Sequence, residues 1–208
     1  FVGCLSGTDF TNPSGYKTCT KLSMKVKLNW ADRKEHFYGL NKLQFHSQNL
    51  DNSKMRERLG YRFFREMGVP APRSVHAKVM INGIYSGVYA LTEQIDGRFA
   101  KDRFENGKGN VYKEIWPINS SGQVYNDQRY LNALKTNEDE SPDISIIRDF
   151  GQKIANASQE ELQDLVIEGM DLNQIMAYSA VDRTIRHDDG PFHWYCSSGG
   201  CSNHNYYW

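Results

Sequence analysis

Between Lys21 and Leu28 the chain reads KLSMKVKL, so Leu22, Met24, Val26 and Leu28 alternate with Lys21, Ser23, Lys25 and Lys27. A period of two predicts a strand that buries one face and turns a basic face outward. A second short strand is expected from Leu40 to Phe45, where Lys42 and Gln44 oppose Leu43 and Phe45. The period then lengthens. Met55, Leu59, Phe63 and Met67 recur every fourth residue, after the cap-type residues Asp51 and Ser53 and before Gly68 and Pro70. This is the pattern of a helix with a defined start and stop. Ser74 to Ile81 alternates again, Asn82-Gly83 is a two-residue hairpin signal, and Tyr85 to Leu91 predicts the returning strand.

From 106 to 140 the chain is rich in Gly, Asn, Ser and charge, which predicts a loop-heavy connection. Helices are expected afterwards. Ser141-Pro142 offers a cap and a first-turn proline ahead of Ile144, Ile147, Phe150 and Ile154. Ser158-x-x-Glu161 reads as a capping box, and Asp171-x-x-Gln174 opens a helix expected to run through Ile185. A β-rich N-terminal half followed by a helical C-terminal half predicts one α+β domain over residues 1–208. Its two lobes would divide near residue 105, with a cleft between them.

Composition narrows the class. The 208 residues are 39% hydrophobic and 24% charged, enough for a real core. The 25 Lys and Arg balance 25 Asp and Glu, so no global field draws the chain to nucleic acid or an anionic membrane. No apolar run approaches the roughly 20 residues of a membrane-spanning helix. Cys4, Cys19, Cys196 and Cys201 form two sequence-local pairs, which predicts two disulfides and an oxidising compartment. The sequons at Asn119-Ser120-Ser121 and Asn156-Ala157-Ser158 agree with that route. A zinc site competes for the second pair, because His193-x2-Cys196-x4-Cys201-x2-His204 has suitable ligands and spacing. Free thiols are the third reading.

Several residues could carry chemistry. Lys21, Lys25 and Lys27 on one strand face would hold a polyphosphate, or would simply be a solvated face. Arg186-His187-Asp188-Asp189-Gly190 puts an imidazole and two carboxylates where a helix gives way to a loop, as either a ligand site or a plain turn. Glu93, after the returning strand, and Lys113, in Gly109-Asn110-Val111-Tyr112-Lys113, are uninformative alone. No G-x-S-x-G elbow, Walker loop or G-x-G-x-x-G occurs, and Gly83-x-x-x-Gly87 is explained by the hairpin.

In combination these residues say more. DNSKMRERLGYRFFREMGVPAPRSVHAKVMINGIYSGVYALTEQIDGRF, from Asp51 to Phe99, closely resembles the spore-coat CotH kinase family. Asp51 and Arg56, Gly68-Val69-Pro70-Ala71-Pro72-Arg73, Asn82-Gly83-x-Tyr85-x-Gly87-x-Tyr89 and Glu93 stand in the family's order. Lys21-x-Ser23 with Lys27, Gly109 to Lys113, and Asp189-Gly190 followed by Asn203 to Tyr207 extend the resemblance over nearly the whole chain.

The resemblance implies an atypical two-lobed protein kinase that uses ATP and a divalent metal, Mg2+ or Mn2+. Its substrates would be Ser or Thr residues of secreted, coat or cell-surface proteins outside the cytoplasm. It implies phosphate contacts from Lys27 and Lys42, with Glu57 as an ion-pair partner. Glu93 would contact the nucleotide or brace the hinge, Lys113 would lie at the nucleotide, Asp189 would be the catalytic acid, and Asn205 a metal or phosphate contact. Members of the family continue with an acidic W-D-x-D-like element, whereas this sequence stops at Trp208, so these residues are expected to leave the metal site incomplete. Surface adhesion, or a structural coat role without catalysis, is the alternative the same family implies.

Overall fold

The alternating segments become strands of one four-stranded antiparallel sheet with the order β1-β2-β4-β3. Its members are β1 (Met24–Lys27), β2 (Lys42–His46), β3 (Ser74–Ile81) and β4 (Ile84–Thr92). The structure is a computed structural model that describes residues 21–30, 36–138, 142–193, 195–197 and 200–208, with backbone alone for 195–197 and 200–202. The chain folds as two units, Phe1–Glu66 with Pro70–Gln94, and Met67–Val69 with Ile95–Trp208. Both α and β structure are present, as expected.

In the first unit the hairpin between β3 and β4 turns at Asn82 and Gly83, whose φ angles are 49° and 79°. Two consecutive positive φ values match the twist of the flanking strands, which is why Asn-Gly serves here. On the apolar face Phe45 meets the buried Tyr89 edge-on, with ring centroids 6.4 Å apart. The first strand is shorter than its alternation predicts. Lys21 lies ahead of it, and its Nζ donates to Ser47 O and Val88 O at 2.7 Å each and lies over the Tyr89 ring. Lys21 is therefore a brace, not a member of the basic strand face. Burial pushes its pKa down, and Lys54 adds to the effect.

Helix α1 (Arg56–Glu66) starts where Asp51 and Ser53 predict. Asp51 accepts from Ser53 N and Ser53 Oγ on one oxygen and from Arg56 N on the other. The buried side differs from the expected one. Leu59, Phe63 and Met67 are 54%, 37% and 47% exposed, whereas Phe64 is buried. Phe64 stands about 100° around the helix from Phe63, and the half-buried Glu57 and Tyr61 lie on its side, so the packed face is that of positions 57, 61 and 64.

The second unit packs Tyr112, Ile115, Tyr130, Ala133, Leu134, Ile144 and Ile147 into a core. Two of its helices are unannounced by any long apolar period: α2 (Gly97–Arg103), capped by Asp96, and α3 (Asp127–Ala133), capped by Asn126. Helix α4 (Ser145–Asn156) begins later than the Ser-Pro signal suggests, because Asp143 Oδ1 accepts from Ser145 N and sets the start there. Ser141 lies outside the described residues. Helix α5 (Gln159–Gly169) has the full Ser158–Glu161 capping box, and α6 (Leu172–Thr184) is capped by Asp171 through Gln174 N. Among the described residues no helix is long and apolar enough to cross a membrane.

A short ladder joins distant parts of this unit. Tyr112 and Trp208 exchange both backbone hydrogen bonds, Lys113 bridges Tyr207, and Glu114 N donates to Tyr206 O. On its other side the 111–113 segment bonds to Ala133 and Lys135. A final hairpin pairs β5 (Tyr195–Ser197) with β6 (Gly200–Ser202), and Cys196 and Cys201 are register partners. Cys4 and Cys19 lie outside the described residues.

Candidate functional site

Antiparallel register places residues that oppose one another on the same sheet face, so the β1-β2 pairing decides where the cations go. Lys27 pairs with Lys42, and Lys25 with Gln44. The row continues across the sheet, since Gln44 pairs with Thr92 and Thr92 with Ser74. One face thus carries Lys25, Lys27, Lys42, Gln44, His46, Thr92 and Ser74. Lys27 and Lys42 are exposed, and neither has a hydrogen bond or ion pair among the described residues. Two like charges directly opposite repel each other, so the pairing costs stability rather than adding to it.

Glu57 comes down on the same polar face from α1. Its Oε1 lies 2.7 Å from His46 Nδ1 and also accepts from the Thr92 hydroxyl. Ser74 Oγ and Thr92 Oγ1 are 3.0 Å apart, and both residues are buried. The partners of Glu57 are thus an imidazole and a hydroxyl, where an ammonium was expected. Glu93 ties the ends of β3 and β4 together. Its carboxylate accepts from Arg73 N, Nε and Nη2, the last at 2.7 Å. Such a forked pair fixes geometry better than a single contact.

In the second unit Asp189 and Asn205 meet directly. Asn205 Nδ2 donates to Asp189 Oδ2 at 2.6 Å and to Asp189 O at 2.9 Å. Asp189 and its neighbour Asp188 are exposed, and Asp189 Oδ1 has no hydrogen bond among the described residues. The loop that presents Asp189 is anchored on Asp182 of α6, which is fully buried. Asp182 Oδ1 lies 3.0 Å from His187 Nδ1, Oδ2 accepts from Arg183, and Asp182 O accepts from His187 N. Gly190 presses on this anchor: a Cβ there would lie 2.4 Å from Asp182 Oδ1 and 2.8 Å from His187 Nδ1.

Lys113 reaches Glu114, with Nζ 3.2 Å from Oε1. Asn205 N donates to the same oxygen at 3.1 Å, and His204 Nδ1 lies 3.6 Å from Oε2. Burial opposes ionisation of Glu114, but the Asn205 N–H, Lys113 and His204 outweigh it and hold its pKa below the usual carboxylate range. The structure thus gathers Lys27, Lys42 and Glu57 on one sheet face, and Lys113, Asp189 and Asn205 around one turn of the second unit. Glu93 stands apart at the strand ends.

Sequence reasoning missed His46, Thr92, Glu114 and Asp182. Only Glu114 had a local cue, its position next to Lys113 in the Gly109–Lys113 motif. Asp182 lies inside a helical stretch, where a lone carboxylate reads as surface.

Against known families, a model described as CotH kinase protein matches residues 14–208. Among curated proteins none matches the chain.

Proposed function

The chain belongs to the CotH kinase family, and from that premise we propose that it moves the γ-phosphoryl group of ATP to a Ser or Thr hydroxyl of a secreted or surface protein. The fold we propose is the two-lobed kinase-like one, the β-rich unit holding phosphate and the helical unit supplying the acid. The observation that carries the reading is the exposed Asp189 carboxylate, one oxygen held by Asn205 and the other without a hydrogen bond among the described residues. A carboxylate so fixed can orient a hydroxyl and accept its proton as the hydroxyl oxygen attacks the γ-phosphorus. The bond to the β–γ bridging oxygen breaks and ADP leaves. Lys27 and Lys42 stabilise the phosphate charge, and Glu57 keeps α1 on the polar sheet face through His46 and Thr92.

A divalent cation fits the donors present in part. Asp189 and Asn205 offer oxygen donors of the kind Mg2+ and Mn2+ accept, and Mg2+ commonly takes only one or two carboxylates beside phosphate oxygens and water. Among the described residues no group of three His, Cys, Asp or Glu converges on a point. The donors therefore suit a cation held mainly by phosphates. If bound, such a cation would supply positive charge against the phosphates, with Asp189 and Asn205 as its protein donors. An extracytoplasmic location is part of the proposal, supported by the register of Cys196 and Cys201. Directly opposed Cα atoms in an antiparallel pair lie about 4.5–5.5 Å apart, within disulfide range.

The test is transfer of labelled phosphate from ATP to a Ser/Thr protein substrate by the full-length protein. Asp189→Ala is expected to lower the rate by about 10²–10⁴-fold with ATP binding intact. Equal rates in wild type and Asp189→Ala remove the role. A protein that transfers nothing yet binds a surface partner turns the reading to adhesion.

A further inference from the structure

The Asp189–Asn205 contact is made from a left-handed backbone conformation at Asn205. Asn205 has a φ of 55°, in the left-handed region, which Asn enters more readily than most side-chain-bearing residues. Glu114 also has a φ of 55°. These two residues face each other where the ladder between 112–114 and 206–208 ends, just after Glu114 N bonds to Tyr206 O. Beyond that point backbone pairing gives way to a side chain: Asn205 N donates to Glu114 Oε1. Two left-handed residues joined by one hydrogen bond, one of them gripping an exposed carboxylate, motivate a functional reading of the pair.

Resting on the kinase reading, we propose that Glu114 is a positioning residue for phosphoryl transfer. Its carboxylate holds Asn205 left-handed, and from that conformation the Asn205 amide fixes Asp189. Lys113 Nζ lies 3.2 Å from Glu114 Oε1 and His204 Nδ1 3.6 Å from Oε2, so Lys113 acts here on Glu114. A carboxylate that merely tied off a chain end would have no route to the reacting acid. This one is two hydrogen bonds from it.

The experiment uses the full-length protein as wild type, Glu114→Ala, Glu114→Gln and Asp189→Ala, with two readouts. The first is the NMR position of the Asn205 side-chain amide, which reports its bond to Asp189 without any need for catalysis. Glu114→Ala is expected to move that signal to where Asp189→Ala puts it, and Glu114→Gln, which keeps an acceptor oxygen, to leave it near the wild-type position. The second is kinetic: Glu114→Ala should lower kcat about 100-fold with KM for ATP nearly unchanged, since misplacing a reacting group costs about that much. Glu114→Gln should recover most of the rate. An Asn205 signal unmoved by Glu114→Ala overturns the proposal, as does a Gln variant no better than Ala in kcat. A wild type that transfers no phosphate overturns the kinase reading instead, and the amide signal then decides the Glu114–Asn205–Asp189 linkage alone.

Discussion

The two units fix their charged residues by opposite means. In the sheet, Lys27 and Lys42 owe their position to strand register alone, and no side chain among the described residues holds either ammonium. In the helical unit, Asp189 is reached through Asn205, and Asn205 through Glu114, while the loop that carries Asp189 is tied to the buried Asp182. A register error in the sheet would move whole rows of residues to the other face, whereas an error in the helical unit would release one side chain at a time. The lesson is that strand register alone can set two exposed ammonium groups opposite each other, whereas fixing one carboxylate takes a chain of side-chain hydrogen bonds.

The sharpest way to break this contrast is to remove the cations. Lys27→Ala or Lys42→Ala should weaken ATP binding by about 1.5–3 kcal/mol each, the range for hydrogen bonds to charged groups. Titration calorimetry with ATP measures it. If both variants bind ATP as wild type does, the face is only solvated and the register pairing has no ligand.

A smaller effect probes the mount. Gly190→Ala would place a methyl group against Asp182 Oδ1, His187 Nδ1 and the His187 carbonyl, the last at 3.1 Å. The carbonyl is backbone and Asp182 is fully buried, so neither has room to yield. Overpacking of this kind costs about 1–3 kcal/mol. Denaturant unfolding should show that loss in Gly190→Ala. Gly83, where a Cβ would meet nothing within 4 Å, is the contrast: there a substitution strains only the positive φ.

How much of this was legible in the sequence follows the same division. The hairpin at Asn82-Gly83, the capping box at Ser158 and Glu161, the Asp171 cap and the Lys25/Lys27 face all rest on near-neighbour patterns, and all four are present. The family resemblance, carried by short ordered motifs, also holds. What escaped depends on partners far along the chain. Lys21 leaves its strand face because carbonyls at Ser47 and Val88 offer a better place for its ammonium. Glu57 finds His46 and Thr92, a pairing that needs the β2-β4 register before it can be seen. Helices α2 and α3, seven residues each, are too short for a period to declare itself. Glu114 and Asn205 are 91 positions apart, and no local rule joins them.

The smallest expected effect runs against the usual direction of mutation. If Lys27 and Lys42 are placed for a ligand, their mutual repulsion remains in the ligand-free protein, because like charges directly opposite in an antiparallel pair are destabilising, by roughly 0.2–1 kcal/mol. Replacing Lys42 with Gln keeps the strand position and much of the length of the side chain and removes one charge. Lys42→Gln should therefore raise the unfolding free energy by a few tenths of a kcal/mol without ligand, and the gain should shrink in high salt, which screens the wild-type repulsion. With saturating ATP the order should reverse, since wild type gains more from the bound phosphates than the variant does. Melting curves of both proteins, with and without ATP at two salt concentrations, check all three parts. A variant less stable than wild type in the absence of ATP would mean that Lys42 helps hold β1 against β2, and the opposed pair would then be structural.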